Sequence, residues 1–154
     1  MNIIDILSLD CIKSAASVSS KKRVLEEIGG LITTQNPDLS EDEIFESLFS
    51  RERLGSTGIG HGVAIPHGRV KTGGKSIGCF MQLENPIDFD AIDGKPVDLV
   101  FGLLVPEDST DEHLQILSKL ATLFSNEAIC DKLRQASSAE EILTLITNWQ
   151  ATTD

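Results

Sequence analysis

One stretch of fifteen residues, from Gly55 to Arg69, holds two of the three histidines of the chain, together with five glycines and Pro66. Imidazole changes its protonation nearest neutral pH, so histidine serves as a base, a nucleophile or a metal ligand. Glycine allows tight turns and close approach of the backbone to a ligand. The stretch therefore predicts an active site in which His61 or His67 does the chemistry.

This stretch lies in a basic part of an acidic chain. The 154 residues carry a net charge of −11, but residues 51–75 hold five basic side chains against Glu52, a local balance of +4. Residues 84–112 hold nine acids against Lys95, a balance of −8. The overall charge argues against an open nucleic-acid surface. The basic part favours a pocket for phosphate or carboxylate.

Three familiar kinds of site fit the residues poorly. His61 and His67 are six residues apart, unlike the helical i, i+4 spacing of zinc enzymes, and no cysteine lies nearby in sequence. The glycine run at residues 55–60 lacks the Gly-Lys-Ser/Thr ending of a nucleotide phosphate loop. A Gly-x-Ser-x-Gly nucleophile elbow is also missing. No metal and no cofactor is predicted.

A covalent role fits the residues best. Neutral imidazole is a good nucleophile toward phosphorus. Phosphoryl transfer asks mainly for positioning and charge compensation. His67 follows a short apolar run and Pro66, which places it in a tight turn at the C-terminal edge of a sheet, where open α/β sheets bind ligands. The basic charge and the glycine N–H groups would serve the phosphoryl oxygens.

The helical patterns are amphipathic and several begin with a capping signal. Apolar residues recur at helical spacing from Val24 to Ile32, where Gly29 and Gly30 indicate a close helix contact. Ser40, Ser109 and Ser138 each precede a Glu by three residues, which is typical of a helix start. A shorter helix is predicted over 127–135.

The strand patterns are short apolar runs between these helices. Runs at 77–83 and 97–105 are nearly continuous, as in central strands covered on both faces. Residues 63–65 form a third run, and 87–89 an edge strand followed by a turn at Asp93-Gly94. The fold class is therefore α/β, a single-domain three-layer sandwich with a mixed β-sheet flanked by helices. The domain is predicted to span 1–154, with a core from about 3 to 149.

Cysteine usage and hydropathy indicate a cytoplasmic protein. Cys11, Cys79 and Cys130 are far apart and form no CxxC pair, which favours reduced, mostly buried thiols. The N-terminus lacks the pattern of a signal peptide. No apolar run approaches the ~20 residues that span a bilayer, so no membrane insertion is predicted.

The segment from Arg51 to Gly68 resembles the signature of the fructose/mannitol-type enzyme IIA family of the bacterial phosphotransferase system. The motif reads Arg-Glu-Arg-Leu-Gly-Ser-Thr-Gly-Ile-Gly-x-Gly-x-Ala-Ile-Pro-His-Gly, and its Gly-Ser-Thr-Gly-Ile-Gly part is most similar to the nitrogen-regulatory branch. Residues 86–97, and the apolar strand that ends at Pro106 before a helix with His113, extend the resemblance. It covers roughly residues 3–149.

The resemblance implies roles for five residues. His67 would accept a phosphoryl group through Nε2 from the phosphohistidine of an HPr-type carrier protein. Arg51, sixteen residues earlier, would compensate the phosphoryl charge, and His113 would lie close to His67 and donate a hydrogen bond to the phosphoryl group. Ser56 and Thr57 would bind phosphate through hydroxyl or backbone groups. The resemblance assigns no role to His61.

Two functions remain open within this resemblance. In the first, the protein is a phosphoryl carrier and regulator that controls target proteins, such as kinases or transporters, through its phosphorylation state. In the second, it is a sugar-transport IIA component that passes the phosphoryl group to a separate IIB protein. The chain ends at Asp154 without a IIB domain, which favours the regulatory function.

Overall fold

The computed structural model describes residues 2–109 and 111–153, with the side chains of Glu112 and His113 left out of the description. In this part of the chain, six helices flank a sheet of six strands. The helices are α1 (Ile3–Ile6), α2 (Lys21–Gln35), α3 (Glu41–Leu54), α4 (Asp111–Phe124), α5 (Glu127–Gln135) and α6 (Ala139–Thr153). The strands are β1 (Leu7–Ala16), β2 (Gly58–Gly60), β3 (Val63–Ala64), β4 (His67–Val70), β5 (Ile77–Ile87) and β6 (Val97–Pro106).

The sheet is mixed, as predicted. Its order is β1-β5-β6-β3-β2, and β4 pairs with β6 beyond the end of β3. β1 runs parallel to β5, β3 and β4 run parallel to β6, and the β5–β6 and β2–β3 pairs are antiparallel. β5 and β6 are the longest pair; residues 78–83 of β5 and nearly all of β6 are buried, as their continuous apolar sequences predict.

Two hydrophobic clusters lie on opposite faces of the sheet, which confirms the three-layer α/β sandwich. One joins the inward faces of α2 and α3 to alternate residues of β5 and β6, including Met81, Val100 and Leu104. The other joins α1, α4, α5 and α6 to the intervening residues, including Phe80 and Phe101. Because successive strand residues point to opposite faces, β5 and β6 each supply both clusters. Cys11, Cys79 and Cys130 are all buried and none forms a disulfide.

Two of the predicted helix starts are confirmed by N-cap hydrogen bonds. Ser40 Oγ accepts the backbone N–H of Glu43 at 3.3 Å, and Ser138 Oγ accepts that of Glu141 at 3.1 Å, as N-caps do. The α5 bounds agree with the prediction. α4 is described from Asp111 onward; Thr110 lies outside the described residues, so the helix start at Ser109 stays a prediction.

Three strand predictions need correction. Ile87 is the last residue of β5 and pairs with Val97, so residues 87–89 form no separate edge strand. β1, β2 and β4 were not predicted as strands. His67 accordingly lies in no tight turn: it is the first residue of β4 and pairs with Leu103 of β6.

Helices α2 and α3 make the close contact that Gly29 and Gly30 indicate. A Cβ on Gly29 would lie 3.3 Å from Glu41 Cγ, whereas one on Gly30 would approach no nearer than 3.6 Å, to Glu41 Oε1. Glycine inside a helix costs about 0.5–1 kcal/mol relative to alanine.

We therefore expect Gly30→Ala to raise the free energy of unfolding by about 0.5–1 kcal/mol, measured by urea denaturation. Gly29→Ala is the matched variant. Its free energy of unfolding should rise less, because the Glu41 side chain must shift to admit the added Cβ. A loss of stability in Gly30→Ala would show that the helix contact extends to this position.

Candidate functional site

His67 lies at the start of β4, half-buried, and its ring is fixed by the preceding backbone. The Nδ1 atom lies 2.8 Å from the carbonyl oxygen of Ile65. A carbonyl can only accept, so Nδ1 carries the hydrogen and the lone pair of the neutral ring lies on Nε2. This is the tautomer that an Nε2 nucleophile requires.

The surroundings favour the neutral form of this imidazole. Burial lowers the pKa of His67 below its usual range, the hydrogen bond to Ile65 opposes that shift, the Arg51 guanidinium lowers the pKa further, and the Glu52 carboxylate raises it. The net direction is downward. A histidine held neutral with Nε2 unprotonated is competent as a nucleophile at neutral pH.

Arg51 reaches the same groove from the last turn of α3. Its Nη1 donates to the carbonyl oxygen of Gly55 at 2.9 Å, which holds the side chain at the helix end. The groove has a volume of about 370 Å³, and its lining consists of Ser47, Ser50, Arg51, Leu54, His67, Gly68 and Arg69. Arg51 and Arg69, beside the neutral imidazole of His67, provide the positive charge that a phosphoryl group needs.

We expect Arg51→Ala to raise the pKa of His67, because removal of a nearby cation stabilises the imidazolium. A titration of the His67 ring by NMR would measure the change. Arg53→Ala is the matched control, since Arg53 lies on the same helix turn but stacks over the Phe49 ring and is exposed. An unchanged midpoint in Arg51→Ala would contradict this electrostatic assignment.

Ser56 and Thr57, the predicted phosphate ligands, lie in the segment between α3 and β2. Ser56 Oγ donates to the carbonyl oxygen of Phe89 at 2.6 Å, and Thr57 Oγ1 donates to Glu52. Both hydroxyl hydrogens are therefore directed to protein acceptors. Their direct contact with a phosphoryl group stays a prediction.

His113 belongs to α4, but its side chain is outside the described residues. Its predicted approach to His67 therefore stays a prediction. Among the described residues, no group of three His, Cys, Asp or Glu side chains is arranged to hold a metal ion.

The structure separates His61 from His67. His61 occupies the β2–β3 turn with a φ of 58°; its N–H donates to Asp93 Oδ2 at 3.0 Å, and its carbonyl oxygen accepts from Arg134. The turn meets β6 near Leu99, whereas His67 pairs with Leu103, about 13 Å further along the strand. His61 lines a different cavity, of about 430 Å³, with Lys95, Asp98 and Arg134.

Sequence reasoning missed three residues that build the site. Ser47 of α3 holds β4 through both backbone groups of Arg69: its Oγ accepts from the N–H at 2.8 Å and donates to the carbonyl at 3.0 Å. Glu52 is buried and pairs with Lys21 at 2.9 Å between Nζ and Oε2. These polar residues carry no distinctive sequence pattern, although Glu52 was visible as the single acid in the basic part of the chain.

No helix in residues 2–109 and 111–153 has the length and apolar character needed to cross a bilayer.

Comparison with known proteins gives one family. The profile of the phosphoenolpyruvate-dependent sugar phosphotransferase system EIIA 2 family matches residues 5–149. The nitrogen regulatory protein of Escherichia coli is 44% identical over 155 residues, covering all of this chain and 94% of that protein. The fructose-specific EIIA component of Haloferax volcanii is 32% identical over 141 residues, covering 92% of each chain.

A solved structure agrees with the sequence matches. The crystal structure of nitrogen regulatory protein IIA-Ntr from Neisseria meningitidis superimposes with a TM-score of 0.88 at 50% identity, covering 94% of this chain and 98% of that one. The mixed sheet with helices on both faces is therefore the fold of that protein. The chain belongs to the EIIA 2 family of the phosphoenolpyruvate-dependent sugar phosphotransferase system and is a phosphotransfer component of the nitrogen-regulatory type.

Proposed function

We propose that this protein is a phosphoryl carrier that accepts a phosphoryl group on His67 Nε2 and regulates target proteins through its phosphorylation state. The donor is the phosphohistidine of an HPr-type carrier protein. The observation that supports it most is the hydrogen bond from His67 Nδ1 to Ile65, because it leaves the nucleophilic lone pair on Nε2. Family membership supports the same chemistry.

The phosphoryl group moves from one imidazole to another, and one N–P bond forms as another breaks. The Nε2 lone pair of His67 attacks phosphorus and forms a new N–P bond while the N–P bond of the donor phosphohistidine breaks. The donor ring leaves with that electron pair. Arg51 stabilises the negative charge on the phosphoryl oxygens during the transfer, as cations do in phosphoryl transfer generally. His113 supplies a further hydrogen bond in this proposal.

The regulatory output follows from the charge change. A phosphoryl group brings about −1.5 to −2 charges at neutral pH, and here it would enter a groove lined by Arg51 and Arg69. The phosphoryl group would offset most of the charge of these two guanidinium groups without a change of fold. Target proteins, kinases or transporters among them, would distinguish the two states by this surface. We place the reaction in the cytoplasm, in a single domain of residues 1–154.

The test is phosphotransfer in a purified system. The protein is incubated with labelled phosphoenolpyruvate, enzyme I and an HPr-type carrier, and the label is followed by electrophoresis. We expect a label that is labile in acid and stable in base, as expected of a phosphohistidine. Arg51→Ala should accept the label more slowly while staying folded. A wild-type protein that takes no label would overturn the proposal.

Transport of sugar is the second candidate, because the fructose-specific relative shares about a third of its residues with this chain. The higher identity to the nitrogen regulatory proteins favours regulation. The discriminating step is addition of a purified fructose-type IIB protein to the phosphorylated protein. Rapid loss of label to the IIB protein would support transport, whereas retention would support regulation.

A further inference from the structure

Glu52 is the one charged residue in the buried set of the described residues, with 3% of its side chain exposed. A carboxylate is costly to bury unless it is paired and hydrogen-bonded. A buried acid beside Arg51 needs a structural reason, because a carboxylate at an exposed position of the same helix would not lose its hydration. Its contacts supply that reason.

Among the described residues, the Glu52 carboxylate is bound by Thr57, in the segment after α3, and by Lys21, at the start of α2. Oε2 accepts the backbone N–H of Thr57 at 2.9 Å, and Oε1 accepts the Thr57 hydroxyl. Lys21 Nζ at the start of α2 lies 2.9 Å from Oε2 and balances the charge. Bonds between charged and neutral partners are stronger than neutral pairs, so Thr57 is held firmly.

Two chains of hydrogen bonds run from Thr57 and the Glu52 backbone to the reacting groups. In the first, the carbonyl oxygen of Thr57 accepts the N–H of Ile65 at 3.0 Å, and the Ile65 carbonyl accepts Nδ1 of His67. In the second, the carbonyl oxygen of Glu52 accepts the N–H of Gly55 at 3.3 Å, and the Gly55 carbonyl accepts from Arg51.

We propose that Glu52 is a positioning residue for phosphoryl transfer, which fixes the Gly55–Thr57 segment so that His67 keeps its Nε2 nucleophile and Arg51 faces the groove. The assignment rests on the proposed function. It gives Thr57 an indirect role, as the link between Glu52 and the backbone that orients His67.

Lys21 has a separable task. It also contacts the carbonyl oxygen of Phe89 at 3.3 Å and the Asp90 carboxylate at 3.6 Å, so it fastens α2 to the loop after β5. Its ammonium neutralises Glu52, but it makes no hydrogen bond to Thr57 among the described contacts. Substitutions can therefore remove the charge balance by Lys21 and the positioning of Thr57 by Glu52 separately.

The test compares Glu52→Gln and Thr57→Val in the phosphotransfer assay. Each removes part of the Glu52–Thr57 contact with little change of volume, and we expect ~10-fold slower labelling of His67, because small misplacements of reacting groups cost rate. Thr57→Ser keeps a hydroxyl and should recover most of the rate that Thr57→Val loses. Glu46→Gln, on the exposed face of the same helix, is the control and should label at the wild-type rate.

A second measurement reports the positioning without any transfer. Imidazole ¹⁵N shifts distinguish the two neutral tautomers of His67. We expect Thr57→Val and Glu52→Gln to populate the tautomer that carries its hydrogen on Nε2, because the Ile65 carbonyl is less well placed. Unchanged tautomer populations together with wild-type labelling rates would overturn the assignment.

The double variant Lys21→Met/Glu52→Gln separates positioning from mere stability. Removing both members of the pair leaves no Lys21 ammonium beside an uncharged side chain at position 52, so stability should recover part of what Glu52→Gln loses. We expect labelling to stay slow. Recovery of the rate along with stability would overturn the positioning role. Failure of the wild-type protein to accept label, by contrast, would count against the proposed function and leave the tautomer measurement to decide on Glu52.

Discussion

Substitution of His67 by alanine is expected to abolish phosphoryl labelling of the protein. His67 is the histidine that the structure places in the Arg51 groove with Nδ1 bound to a carbonyl and the Nε2 lone pair retained. Alanine leaves no nitrogen for phosphorus to bond. The measurement is the labelling assay with enzyme I and the HPr-type carrier, with folding checked by circular dichroism.

His61→Ala is the matched control, since it removes an imidazole from the same glycine-rich stretch. His61 is exposed and its recorded contacts are made by the backbone, so the variant should fold and accept label at the wild-type rate. Label retained by His67→Ala would refute the acceptor assignment. Loss of label in His61→Ala alone would transfer the assignment to the β2–β3 turn.

The acceptor should also keep working below the usual pKa of histidine. Burial lowers the pKa of His67 from its ordinary 6.5, so the neutral ring persists as the pH falls below that value. The unfolded chain binds more protons than the folded protein between the folded pKa and about 6.5. Stability therefore falls as the pH drops through that window. His67→Ala should lose this part of the pH dependence of unfolding.

The sequence predicted those elements whose burial pattern is regular. Burial of both strand faces gives the continuous apolar runs of β5 and β6, and burial of one helix face gives the apolar spacing of α2. β1 was missed because its pairing with β5 is irregular: register shifts fall between Leu7 and Ile12 and between Lys13 and Ala16. Such a strand has no clean alternation to detect.

Residues of the candidate site could be named from the sequence only where residue types carry chemistry or match a family motif. His67 could be named because imidazole in a glycine-rich, basic stretch indicates phosphoryl chemistry, and Arg51 because the resemblance to the enzyme IIA signature assigns it a role. Glu52 could not, because an acid near the end of a charged helix normally faces solvent. Its burial depends on Lys21, 31 positions earlier, and on the fold of the 55–57 segment. Tertiary contacts of this kind leave no local pattern.

Gly68→Ala is expected to damage stability and phosphotransfer together. Gly68 is buried directly after His67, where α3 crosses β4. An added Cβ would collide with Ser47 Oγ and would lie 3.0 Å from Ser47 Cβ and 3.1 Å from its backbone carbon. Because backbone is among the atoms met, no rotation of the Ser47 side chain relieves the contact, and α3 must move. Overpacking of this kind costs about 1–3 kcal/mol.

The displaced helix is the one that carries Arg51 and Glu52. Ser47 binds this helix to β4 through both backbone groups of Arg69. The steric clash therefore falls at the contact that sets the distance between Arg51 and His67. A displacement near 1 Å between reacting groups can cost ~100-fold in rate, and we expect a loss approaching that size in the labelling assay under conditions where the variant is folded.

Gly78→Ala separates this effect from general destabilisation. Its Cβ would lie 2.8 Å from Phe101 Cζ, an overpacking of similar severity on the face of the sheet that α2 and α3 do not cover. Urea denaturation should show comparable losses for both variants, while the folded Gly78→Ala protein keeps its labelling rate. Equal rates in the two variants would mean that the α3–β4 contact is only structural. A selective loss in Gly68→Ala would mean that the spacing between helix and strand sets the geometry of transfer.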